Sequence, residues 1–152
     1  MPTYEGSLAG PHGRYAIVAS RFNHEVVDRL VAGAQDALRK HGINDFDLAW
    51  VPGAFELPIV AQRFAASKKY AAVICLGAVI RGDTDHYDYV CQAATDGVLQ
   101  AGLATGVPVL FGVLTCDTDE QALDRAGGKA GNKGADVTLA AIEMANLLKQ
   151  LP

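Results

Sequence analysis

The sequence predicts an α/β fold, a single three-layer α/β/α domain over residues 1–152 with a four-stranded parallel sheet between two helical layers. Three observations lead there. Short apolar runs alternate along the chain with stretches of helical periodicity. The run from 71 to 80 is apolar almost without a break, which suits a central parallel strand covered on both faces. No linker divides the 152 residues, and half of them are apolar, enough for one sizeable core.

Each element can be justified in turn. Residues 1 to 9 form an N-terminal arm with no obvious place in the layered unit. Tyr-Ala-Ile-Val-Ala, between Arg14 and Ser20, is a first strand. Apolar positions 27, 30, 31, 34 and 38 then define an amphipathic helix over 24–41, with Asn23 as N-cap and Gly42 as its stop. Leu48 to Val51 is a second strand, broken by Pro52-Gly53, and a helix with Pro58 in its first turn runs to about Ser67. After the third strand, 71–80, a helix spans about 87–104 with Val90, Ala94, Gly97, Val98 and Ala101 on one side. A fourth strand covers 107–114, with Pro108 tolerated near its start. Asp117-x-x-Glu120 has the form of a capping box opening a short helix to Ala126. Gly127 to Gly134 is a glycine-rich loop, and a last helix over 135–148 carries Val137, Ala141, Met144, Ala145 and Leu148.

Composition excludes several functions. Thirteen basic against seventeen acidic side chains give a charge of −4, which removes the electrostatic footprint of nucleic-acid binding and disfavours an anionic membrane surface. The longest apolar run is about half a membrane span, and the N-terminus carries Glu5 and no apolar signal stretch. Cys75, Cys91 and Cys116 are odd in number and far apart, forming neither a redox pair nor a metal cluster. The expectation is a soluble, cytoplasmic protein.

In open parallel sheets ligands bind beyond the carboxyl ends of the strands, so the residues just after each strand are the informative ones. The first turn lacks Gly-x-Gly-x-x-Gly and no phosphate-binding P-loop occurs, which argues against a nucleotide cofactor. Phe22, after strand one, either stacks on a planar heterocycle or tucks against the next helix. Gly53-Ala54-Phe55-Glu56, after strand two, sets an aromatic and a carboxylate at a helix N-terminus. There they either bind polyol hydroxyls or simply cap the helix. The strongest local signal is Ile80-Arg81-Gly82-Asp83-Thr84-Asp85-His86. Gly82 permits close backbone approach, and the N–H groups of Asp83 and Thr84 face a positive helix end suited to phosphate. The Asp83 carboxylate must then turn away from the anion. His86 either transfers protons or is a solvated first-turn histidine, and Asp85 is a plain N-cap. Phe111, ending the fourth strand, is either a pocket wall or core. Arg125 either clamps a phosphate or favours a helix C-terminus. The glycine loop is either a solvated linker or a shaped loop carrying Lys133 towards an anion.

Taken in order, Ser20-Arg21-Phe22-Asn23, Pro52-Gly53-Ala54-Phe55-Glu56-Leu57-Pro58, Gly77 to His86, Phe111-Gly112-Val113-Leu114-Thr115 and Arg125 to Gly134 resemble the lumazine synthase family. The resemblance covers Tyr4 to Lys149. It implies a flavodoxin-like domain whose N-terminal strand is donated to a neighbouring subunit. The implied transferase reaction condenses 5-amino-6-(D-ribitylamino)uracil with 3,4-dihydroxy-2-butanone 4-phosphate to 6,7-dimethyl-8-ribityllumazine, the penultimate step of riboflavin biosynthesis, without cofactor or metal. By resemblance Phe22 stacks on the pyrimidine, Ala54, Phe55 and Glu56 hold the ribityl chain, and Ala78, Val79 and Ile80 contact the ring. Asp83, Thr84 and Arg125 bind the phosphate, His86 transfers protons, and Phe111 and Lys133 line the pocket. Asp85 and Tyr87 depart from the small residue or proline and the phenylalanine common in the family. The implied assembly is a pentamer, and the compact glycine loop points to twelve pentamers in an icosahedral capsid, with riboflavin synthase as a candidate partner. Two alternatives share the fold: an archaeal-type riboflavin synthase, and a non-catalytic flavin-binding or shell protein. Arg125 beside the Gly82–Thr84 loop favours the lumazine synthase, and His86 with Arg125 speaks against the shell protein.

Overall fold

A computed structural model describes all 152 residues. Strands β1 (Tyr15–Ser20), β2 (Phe46–Val51), β3 (Ala72–Ile80) and β4 (Val109–Cys116) form one parallel sheet in the order β2-β1-β3-β4. Helices α1 (His24–Lys40), α2 (Leu57–Ala66), α3 (His86–Thr105), α4 (Asp119–Asp124) and α5 (Lys133–Gln150) connect and cover it. A 3-10 turn, Ala54–Glu56, leads into α2, and a small antiparallel hairpin, β5 (Ala126–Gly128) with β6 (Gly131–Asn132), leads into α5. No helix is long and apolar enough to cross a membrane.

Two apolar cores sandwich the sheet, because both faces of its central strands are buried. Tyr15, Ile17, Ile74, Leu76 and Leu114 point to the side of α1 and α5, where Val27, Leu30, Leu38, Ala141 and Ile142 meet them. Ala16, Val18, Val73, Cys75 and Val113 point to the side of α2 and α3, against Leu57, Ala61, Ala94 and Val98. The α1 positions expected to face inward, Val27, Leu30, Val31, Ala34 and Leu38, are all buried. In α5 Val137, Ala141 and Ala145 are buried, but Met144 and Leu148 remain partly in solvent, since Thr138 and Ile142 take the inner positions instead.

Several local expectations shift. β4 begins after Pro108 and runs on to Cys116, so Phe111 is its third residue, paired with Cys75. The cap of α4 lies one residue later than expected: the Thr118 hydroxyl accepts from Gln121 N–H at 3.2 Å, and Gln121 Oε1 accepts from Asp117 N–H at 2.8 Å. Asn23 does occupy the N-cap of α1, in the left-handed region at φ 62°, but its side chain does not cap. Its amide instead donates to the Ala78 carbonyl at 3.0 Å, tying the turn after β1 to the end of β3.

The glycine-rich segment is neither a solvated linker nor an open loop. Gly127 and Gly131 take φ of 107° and 84°, which shapes the β5–β6 hairpin. Asn132 then does two things. Its Oδ1 accepts from Ala135 N–H at 3.1 Å, capping α5, and its amide donates to the Arg29 carbonyl at 3.1 Å, docking the cap on α1. Gly134 lets the backbones of α1 and α5 touch, for any Cβ there would overlap the Leu30 carbonyl.

The N-terminal arm has no helix or strand of its own, yet it is not without contacts. Gln150 donates to the Glu5 carbonyl at 2.9 Å, and Asn146 donates to those of Ser7 and Ala9 at 2.6 and 3.0 Å. The stretch 5–9 therefore lies along α5 of the same chain, while Tyr4 and Leu8 stay partly in solvent.

Candidate functional site

The strand order places a topological switch between β1 and β3, whose connections leave to opposite sides of the sheet. In open parallel sheets this is where ligands bind. A cleft of about 780 Å³ opens there. Phe22 enters it from the turn after β1, Ala54, Phe55 and Glu56 from the turn after β2, and Ala78, Val79 and Ile80 from the end of β3. Thr84 and His86 close it from the loop into α3. One ligand-sized space thus collects nine of the thirteen residues singled out in the sequence.

The local chemistry follows from how each residue is held. Phe22 and Phe55 keep 72% and 60% of their surface in solvent, so neither ring is used as core. Two exposed aromatics at one cleft are apolar area left for a planar ligand. Ala54, Ala78 and Val79 are buried and form a floor. Glu56 Oε1 accepts from Gly53 N–H at 2.9 Å, so the capping function anticipated as its plainer role is real. A carboxylate has a second oxygen with free lone pairs, and that oxygen is the polar group left to the cleft. His86 is exposed at the first position of α3, and its N–H donates to Thr84 Oγ1 at 3.4 Å. Asp85 is its N-cap residue but makes no side-chain cap hydrogen bond.

Asp83, Phe111, Arg125 and Lys133 do not line this cleft. Asp83 is exposed on the loop beside it. Phe111 is half-buried against the core on the α2–α3 side. Arg125 and Lys133 line a second cleft, of about 420 Å³, together with Thr115, Gln121 and Asp136. The hairpin brings these two cations together: Lys133 N–H donates to the Arg125 carbonyl at 2.8 Å, and the Arg125 guanidinium turns back to the Gln121 carbonyl at 3.1 Å. Arg125 is the C-cap of α4, as its plainer reading anticipated, yet it remains exposed.

Six further residues line the main cleft: Pro52, Gly53 and Gly82, in segments already noted, and Asn23, Tyr87 and Val90, which sequence reasoning missed. Asn23 is expected from the sequence only as a helix cap, and Tyr87 and Val90 line the wall from α3. The spacing 86, 87, 90 puts all three α3 residues on one helical face, and that period was the available signal. Burial, and after it the neighbouring Cys91 thiol, raise the Tyr87 phenol above its usual pKa. No group of three His, Cys, Asp or Glu side chains converges in a way that would hold a metal ion.

An aromatic-flanked cleft thus lies at the switch point with a histidine on one wall, and a pair of cations lies apart from it in a second cleft. The chain also matches the family model of 6,7-dimethyl-8-ribityllumazine synthase over residues 12–149. By that match it belongs to this family, transferases of riboflavin biosynthesis that act on small molecules and typically assemble as oligomers.

Proposed function

We propose that the chain condenses 5-amino-6-(D-ribitylamino)uracil with 3,4-dihydroxy-2-butanone 4-phosphate, releasing phosphate and water and giving 6,7-dimethyl-8-ribityllumazine. The observation that carries this reading is the division of polar and apolar groups between two clefts. The larger cleft offers rings and a carboxylate suited to a flat, hydroxylated pyrimidine, and a histidine within reach of reacting atoms. It contains no lysine or arginine, although the second substrate is a phosphate ester. Arg125 and Lys133 supply that charge from the other cleft, which shares no lining residue with the first. A complete site then needs a second chain.

In this reading Phe22 stacks on the pyrimidine, Ala54, Phe55 and Glu56 hold the ribityl chain, and Ala78, Val79 and Ile80 contact the ring edge. Thr84 and the backbone beside Asp83 meet the phosphate together with the neighbour's Arg125. Phe111 and Lys133 complete the wall from that side. His86 moves protons during imine formation, phosphate elimination and ring closure. Orientation of two bound molecules supplies most of the acceleration. The whole chain, 1–152, works as one domain in the cytoplasm, with residues 1–9 as its arm.

The arm supports the assembly. Its alternate carbonyls, those of Glu5, Ser7 and Ala9, bond to side chains of α5, a period of two that leaves the intervening positions to pair with the sheet edge of another chain. Five chains of 16.0 kDa make a ring of about 80 kDa, and twelve rings about 960 kDa, with riboflavin synthase as a candidate partner.

Mixing the two substrates and following lumazine absorbance tests the chemistry, and light scattering tests the assembly. Lumazine formation by a pentamer or 60-mer is the expected result. No lumazine from the two substrates, with riboflavin formed from two lumazines instead, would replace this reading with a riboflavin synthase. A stable active monomer would remove the shared site.

A further inference from the structure

The segment from Gly82 to Thr84 carries much of the proposed chemistry and almost no hydrogen bonds. Its residues are all exposed, none of their backbone N–H groups donates to another segment, and the Thr84 hydroxyl meets only the N–H of His86. Something else must hold the loop in one shape if it is to meet a small substrate reproducibly.

Arg81 stands at its root. Its backbone N–H donates to the Cys116 carbonyl at 2.9 Å, extending the β3–β4 register by one residue. Its side chain then spans the loop. Nε donates to Asp117 Oδ1 at 2.8 Å, in the turn after β4. Nη1 lies 3.6 Å from Asp88 Oδ1, in the first turn of α3. The guanidinium carbon sits 4.2 Å from the centre of the Tyr87 ring. One planar cation thus joins three points: the end of β4, the start of α3 and the residue where the loop begins.

The charged groups in this cluster are well exposed, at 48% for Arg81 and 62% and 63% for Asp88 and Asp117. Exposed ion pairs add little to overall stability. What they supply here is geometry. A guanidinium offers a rigid fork for Asp117 and a flat face for Tyr87 at once, which an ammonium cannot do.

We propose that Arg81 is a positioning residue, which fixes the Gly82–His86 loop by clamping Asp117, Asp88 and the Tyr87 ring and so sets His86 and Thr84 for the reaction without itself touching substrate. This rests on the reading of the cleft given above. Because Phe22 and the 54–56 segment lie on other connections, loss of the clamp acts on the phosphate side and on turnover, not on pyrimidine binding.

The test compares the full-length wild type with Arg81→Gln, Arg81→Lys and the double variant Arg81→Gln/Asp117→Asn, each checked for an unchanged thermal midpoint. Arg81→Gln should lower kcat by roughly tenfold to a hundredfold, as small misplacements of reacting groups do. The pyrimidine KM should stay within about twofold of wild type, because Phe22 and the 54–56 segment are held by other connections. Arg81→Lys should fall between, and the double variant should be no slower than Arg81→Gln alone, because both remove one coupled clamp. Hydrogen exchange read by mass spectrometry on a peptide covering residues 80–90 gives a measure independent of turnover. There the first-turn amides of α3, Asp88 and Tyr89, should exchange faster in Arg81→Gln. An unchanged kcat, a pyrimidine KM that rises as much as kcat falls, or a thermal midpoint that drops in step with activity would each overturn the proposal. Should the wild type make no lumazine, the reading of the cleft fails, and unchanged exchange over 80–90 would then refute the clamp on its own terms.

Discussion

Replacing Phe22 by alanine separates a ligand-binding ring from a structural one, and the structure sets the size of the effect. A ring used as core costs about 3–5 kcal/mol of stability when truncated. Phe22 keeps 72% of its surface in solvent, so Phe22→Ala should change unfolding free energy by no more than about 0.5 kcal/mol. Binding is another matter. An aromatic side chain presents roughly 200 Å², and a heterocycle stacked on the free face covers about 70 Å² of it, worth about 1.8 kcal/mol at about 25 cal/mol per Å². Stacking geometry adds about 0.5–1.5 kcal/mol. The expected loss is therefore about 2–3 kcal/mol, or about 30- to 150-fold in Kd for the ribitylaminouracil. Anaerobic calorimetric titration of wild type and variant with this compound reads the ratio, and urea denaturation reads the stability. Unchanged pyrimidine affinity, or a stability loss above about 2 kcal/mol, would return Phe22 to the scaffold and refute the stacking argument.

Four further outcomes are expected. His86→Gln should slow condensation roughly tenfold or more with the fold intact, because an amide cannot exchange protons at neutral pH; an unchanged rate at saturating substrates removes His86 from proton transfer. Arg125→Ala should raise the KM of the butanone phosphate by about tenfold or more and leave that of the pyrimidine alone, and equal weakening of both would make the residue structural. Gly134→Ala should cost about 3 kcal/mol in denaturant titration, since its Cβ would overlap the Leu30 carbonyl and force α1 from α5; a loss under about 0.5 kcal/mol would mean the helices separate freely. Burial pushes the Cys75 thiol from 9.0 up to about 12. The folded state thus keeps a proton that the unfolded chain loses above about pH 9, so stability is full below that pH and falls by up to about 4 kcal/mol as pH rises towards 12. Cys75→Ala should flatten this alkaline decline, and equal slopes for both proteins would exclude the thiol as its cause.

The layered fold was legible because its signals are local. Alternation of apolar runs with helical spacing needs only neighbouring residues, and the expected β1, α1 and β3 coincide with the observed elements to within a residue or two. The candidate residues were legible for a related reason: in a parallel sheet the chain itself delivers each strand's end to one edge, so Phe22, Ala54 to Glu56, Ala78 to Ile80, Thr84 and His86 could be placed together from order alone. What lay beyond reach depended on contacts between distant segments. No local pattern says that the Asn23 amide leaves its helix for the Ala78 carbonyl, or that Asn132 reaches Arg29 and turns a glycine-rich stretch into a hairpin docked on α1. Nor does it say that Asn146 and Gln150 hold the arm along α5, or that Asp117, Asp88 and Tyr87 converge on Arg81. The separation of Arg125 and Lys133 from the main cleft is of the same kind. β4 is an edge strand, and α4, the hairpin and α5 that follow it return over the α1 face of the sheet, so Arg125 and Lys133 open beside the end of β4 in a cleft of their own, a consequence of the chain's path that residue spacing does not carry.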